Sequence, residues 1–109
     1  MSAAALRQYQ RQAVQTASPA ALVEKLYAVG AQAARAGDGF RTRRALVELA
    51  GAVDRDRGGE IADRLLALYE FSIRATAEGD LDTVAEILDG LRDAWRRATL
   101  APLAVAAEA

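Results

Sequence analysis

The chain has 109 residues, 14 Lys and Arg against 15 Asp and Glu, and neither Cys nor His. Without thiols or imidazoles a disulfide framework, a zinc ribbon, an iron–sulfur cluster and His-based catalysis are all excluded. A net charge of −1 gives no bulk attraction to phosphate backbones or anionic lipid.

A chain of about 100 residues buries one core, so a single domain over residues 1–109 is expected. Hydrophobic residues make up 52% of it, but 27 positions are Ala, so the larger side chains must carry the burial. Charges are interspersed and the pattern is helical almost throughout, with no period-2 alternation that would read as a strand.

Residues 1–17 form an N-terminal segment, weakly helical to about Gln15. Ser18-Pro19 then suits a helix start, Ser as cap and Pro in the first turn. The inward row of this helix is Leu22, Leu26, Val29 and Ala33, with Val23, Tyr27 and Ala34 beside it. Gly37-Asp38-Gly39 makes a turn, and a further helix begins at about Arg41 with Leu46, Leu49 and Val53 three and four apart. Asp54 to Gly59 reads as a polar connection, after which Glu60 suits the positive end of a helix dipole. That helix has two apolar rows, one of Ile61, Leu65 and Leu68 and one of Ala62, Leu66, Tyr69 and Ile73. Gly79-Asp80 closes it and caps the last helix, whose Leu81, Val84, Leu88, Leu91 and Trp95 form an a/d seam. Pro102 is expected to end this helix, leaving residues 101–109 as a frayed tail.

Short connections force neighbouring helices antiparallel. The expected fold is therefore all-α, an antiparallel up-and-down four-helix bundle with the N-terminal segment laid across it. No apolar run approaches the roughly 20 residues of a membrane span and no secretory leader is recognisable, so a cytoplasmic protein is expected.

No catalytic constellation survives inspection. The glycine clusters follow no strand and precede no Lys, so they are turns and not phosphate cradles. Asp80, Asp82, Glu86 and Asp89 match no calcium loop and suit a helix start. Ser18 has no base to activate it. Arg41, Arg43 and Arg44 are soon balanced by Glu48, Asp54 and Asp56, which argues against a nucleic-acid surface. What remains is apolar surplus. The row of Leu66, Tyr69 and Ile73 either packs against the N-terminal segment or lines a groove for a partner helix, and periodicity does not separate the two.

Three blocks of residues in order carry a family resemblance. They are Tyr9, Val14, Thr16-Ala17-Ser18-Pro19, Leu22 and Leu26-Tyr27; then Val53-Asp54, Gly58-Gly59-Glu60-Ile61-Ala62, Leu65 and Leu68-Tyr69-Glu70-Phe71; then Leu91-Arg92-Asp93-Ala94-Trp95. Spanning about Tyr9 to Trp95, they resemble the flagellar secretion chaperones, the FliS family. The chain is shorter than that family between Tyr27 and Val53 and between Phe71 and Leu91, and Phe71 stands where the family has a Tyr.

The resemblance implies a non-enzymatic cytoplasmic bundle that binds the C-terminal segment of flagellin and prevents premature polymerisation before export. The alternative is a relative serving as a structural or regulatory module for a different client. It implies no cofactor, no nucleic-acid or membrane partner, and a monomer or weak homodimer. Tyr9 and Val14 match a segment that covers the bundle and yields to client. Tyr27, Tyr69 and Phe71 are expected at a groove or its rim, since an aromatic with a polar tip tolerates half-exposure, whereas Leu65 and Leu68 are expected inward. The partner-binding candidates are thus Tyr9, Val14, Tyr27, Ile61, Leu66, Tyr69, Phe71 and Ile73.

Overall fold

Two Gly-Asp pairs set the course of the chain. In the computed structural model, which describes residues 2–4 and 19–108 and the side chains of 2–4 and 20–97, four helices follow one another. They are α1 (Pro19–Arg35), α2 (Gly39–Gly51), α3 (Arg55–Ala77) and α4 (Leu81–Glu108). The expected all-α bundle is what forms, with no strand among the described residues. Helix α1 packs on α2 and α4, α2 on α3, and α3 more thinly on α4, closing a ring of antiparallel neighbours.

The α1–α2 and α3–α4 turns use the same device. Gly37 and Gly79 take positive φ, 74° and 85°. Asp38 N–H then donates to the Ala33 carbonyl at 2.9 Å, and Asp80 N–H to that of Ala75 at 2.9 Å. These bonds satisfy carbonyls that a helix end leaves without partners. Each Asp also caps the next helix: Arg41 N–H donates to Asp38 Oδ1 at 3.1 Å and Thr83 N–H to Asp80 Oδ1 at 3.3 Å. With Asp38 as its cap, α2 starts at Gly39, two residues earlier than its apolar spacing predicts.

The core is built where the a/d seam of α4 meets α1 and α2. Leu46, Leu49, Val84 and Leu88 are fully buried, with Leu81, Leu91 and Trp95 packed against them. Small residues let the helices approach. A Cβ on Gly30 would lie 2.9 Å from Leu88 Cδ1 and 3.3 Å from Ala45 Cβ, so glycine here sets the spacing of three helices. The two buried polar residues named in the core, Thr42 and Ser72, donate to carbonyls four residues back, Asp38 and Leu68, each at 2.8 Å. No buried hydroxyl is stranded there.

Two boundaries differ from the sequence reading. Residues 55–58 form a helical turn instead of an open connection, because the Asp54 carboxylate accepts from Asp56 and Arg57 N–H at 3.1 and 3.2 Å. And α4 does not stop at Pro102 but runs to Glu108. Pro102 forfeits one backbone bond, while Ala101, Ala104, Ala106 and Ala107 supply the strongest helix propensity available. No helix among the described residues is long and apolar enough to cross a membrane.

Candidate functional site

At the bundle end opposite the twin turns, α1 begins, α2 passes into α3, and α4 brings in Trp95. A cleft of about 240 Å³ opens between them. Val23 and Tyr27 of α1 form one wall and Trp95 closes it from α4; Leu49, Ala52 and Val53 follow from α2 and its connection. The remaining wall is the start of α3: Gly58, Ile61, Ala62, Leu65 and Tyr69. The lining is mostly hydrocarbon, and its one carboxylate, Asp54, is engaged in capping.

The mouth is shaped by Gly58-Gly59. Gly59 has φ 53° and ψ −128°, a combination open to glycine and strained for any L side chain. It kinks α3 between the capped turn 55–58 and the long helix from Glu60. A Cβ on Gly58 would lie only 2.6 Å from Ala62 Cβ, so that turn folds close onto the long helix. Ile61 is thereby placed at the lip, 70% exposed.

Tyr27 and Tyr69 make the floor. Their hydroxyls are 2.6 Å apart and their rings 6.5 Å between centroids. Tyr27 also meets Trp95 edge-on at 6.3 Å, and Trp95 Nε1–H donates to the Ala20 carbonyl at 2.8 Å. Burial pushes both phenols above the ordinary tyrosine value of 10.0, and the shared hydrogen bond raises Tyr69 further. Both stay protonated at any physiological pH, so the floor holds a neutral polar pair.

Tyr27 and Tyr69, expected at a groove or its rim, do line the cleft, but as its buried floor and not as half-exposed side chains. Each hydroxyl is the other's partner, which removes the need for water that the rim assignment assumed. Of the remaining candidates among the described residues, only Ile61 joins these two on the cleft. Leu66 is half-buried elsewhere on α3, Ile73 packs against the core, and Phe71 lies exposed outside the cleft. Tyr9 and Val14 fall outside the described residues. Leu65, expected inward, is half-buried and lines the cleft, as do Val23, Leu49, Val53 and Trp95, which were not among the candidates. Val53 and Trp95 belong to the motif blocks, and that membership was the available signal.

The cleft is smaller than the roughly 300–1,000 Å³ of small-molecule sites and suits one or two apolar side chains of a peptide. Fold and cleft together define a class of small up-and-down helical bundles with an apolar opening at one end. Residues 39–102 match the family described as Flagellar protein FliS, more than half of the chain. The chain belongs to the FliS family, which is a family of flagellar export chaperones and not of enzymes. The match starts at Gly39, so the block from Tyr9 to Tyr27 lies outside it. No curated protein and no solved structure gave a significant match to this chain.

Proposed function

We propose that this protein is a cytoplasmic chaperone that holds the C-terminal segment of flagellin before export, seating apolar client side chains in the cleft between Ile61 and Trp95. The observation that carries the reading is convergence: Tyr27, Val53, Ile61, Tyr69 and Trp95, drawn from three separate blocks of the chain, line one opening. A disordered client that folds into such a groove gives up roughly 2–5 kcal/mol of contact energy to ordering, which favours a reversible complex suited to hand-over. Its partner is a protein segment, and the chaperone itself acts without a cofactor.

Calorimetric titration of the full chain with a flagellin C-terminal peptide tests this. Saturable binding with a negative heat-capacity change is expected, because apolar surface is buried. Flat heats at about 10–100 μM, where even a weak micromolar complex would register, overturn it.

A further inference from the structure

A second groove lies on the other side of α1, away from the end cleft. It runs between α1 and α2, has a volume of about 250 Å³, and is lined by Leu26 and Val29 on one side and Phe40, Arg41, Arg44, Ala45 and Glu48 on the other. Phe40 is 76% exposed, an unusual place for a phenylalanine in a small protein, and Val47 continues the apolar line one heptad further along α2. Seven residues of helix span about 10 Å, so these two side chains repeat at the interval of an α-helix laid alongside.

The rim of this groove is basic. Arg41 makes no ion pair among the described residues, and neither does Lys25, which shares the α1 face with Leu22 and Val29. Arg44 meets only Glu48, at 3.7 Å on an exposed surface, and the Asp38 carboxylate is engaged in capping α2. The charge is segregated along the chain. Residues 20–52 carry five basic against three acidic side chains, whereas residues 53–97 carry seven against eleven. At the groove itself two guanidinium groups, Arg41 and Arg44, stand against one carboxylate, Glu48, above a hydrocarbon floor.

We propose that the α1–α2 groove is a second docking surface, for an amphipathic helix of a partner protein whose flanks are acidic. Its apolar stripe packs on Leu26, Val29 and Phe40 while its carboxylates meet Arg41 and Arg44. Charge complementarity selects the acidic partner and rejects a basic one, and the apolar line sets the helical form. This surface is independent of the flagellin reading, because it shares no lining residue with the end cleft.

The probes are two synthetic peptides with the same leucine heptad pattern, one flanked throughout by Glu and the other by Lys, titrated by fluorescence anisotropy into the full chain. The Glu peptide should bind at least about tenfold tighter and weaken as salt rises from roughly 50 to 300 mM. Arg41→Glu with Arg44→Glu should reverse the preference. Phe40→Ala should weaken the Glu peptide by about tenfold at an unchanged melting temperature, and Ile61→Ala should leave it unaffected. Equal affinity for both peptides, no binding of either, or indifference to the Arg41/Arg44 reversal would overturn the proposal. So would loss of binding in Ile61→Ala, which would move the contact to the end cleft. Sedimentation of the chain alone that shows a dimer abolished by Phe40→Ala would assign the groove to a second copy and likewise overturn it.

Discussion

The hydroxyl of Tyr27 lies 2.6 Å from that of Tyr69, forty-two residues away in the chain, and the two are buried together beneath the end cleft. Neither phenol is placed there by apolar periodicity alone. Each makes the burial of the other tolerable. A single Tyr→Phe at either position should cost about 0.5–1.5 kcal/mol, with a penalty for the hydroxyl left behind, and the double variant should cost less than the sum. Urea unfolding of the four proteins in the cycle measures the coupling.

The same pair gives a pH dependence. Both pKa values are raised in the folded chain, so the folded state retains protons that the unfolded state releases above about pH 10. Their contribution is complete below that pH and is lost as pH climbs toward the folded values. The loss is about 1.4 kcal/mol per pH unit for each phenol still protonated in the fold. Denaturant midpoints measured on both sides of pH 10 should show this decline. It should be smaller in Tyr69→Phe, which removes one of the two phenols.

Ile61→Ala should leave stability within about 0.5 kcal/mol, since the side chain is exposed, and should weaken a client seated in the end cleft. Tyr69→Ala should instead lower stability by about 3–5 kcal/mol, as for a buried aromatic. Comparing melting temperature with peptide affinity for the two variants separates lip from floor.

Gly59→Ala should cost about 1–3 kcal/mol, because alanine is strained at φ 53° and ψ −128°. If alanine straightens the kink to relieve that strain, Ile61 shifts with it and client affinity falls too. Thermal unfolding and titration of this one variant read both effects.

Leu88→Ala removes a fully buried side chain from the centre of the α4 seam and should cost about 2–5 kcal/mol. In a small domain that is a large share of the total. The fraction folded at 37 °C, followed by circular dichroism, should drop visibly.

Much of the fold was legible because its signals are local. The Gly37-Asp38 and Gly79-Asp80 turns and the spacing of Leu81, Val84, Leu88, Leu91 and Trp95 all act within one or two turns of chain. The site was legible only in part. Ile61 at the lip follows from the motif, but the depth of Tyr27 and Tyr69 depends on a hydrogen bond between helices far apart in sequence. No periodicity reports such a pairing. The exposed Phe40 escaped notice for a similar reason: exposure on α2 depends on where α1 lies, and Gly30 sets that distance through contacts with Leu88 and Ala45. Of the acid-first i,i+4 neighbours on the surface, Glu60 with Arg64 and Asp93 with Arg97 form ion pairs. Glu70 and Arg74 make no ion pair with each other, as befits exposed pairs that gain little by meeting.

The paired Gly-Asp turns tie the four helices twice at one pole, while among the described residues the opposite pole has a single covalent tie, from Ala52 to Asp54. Breathing of the barrel of helices is therefore lopsided. Amide hydrogens near Val53 and Ile61 should exchange with solvent long before those around Ala33 and Ala75, and a guest that pries the helices apart meets least resistance where the greasy opening already stands.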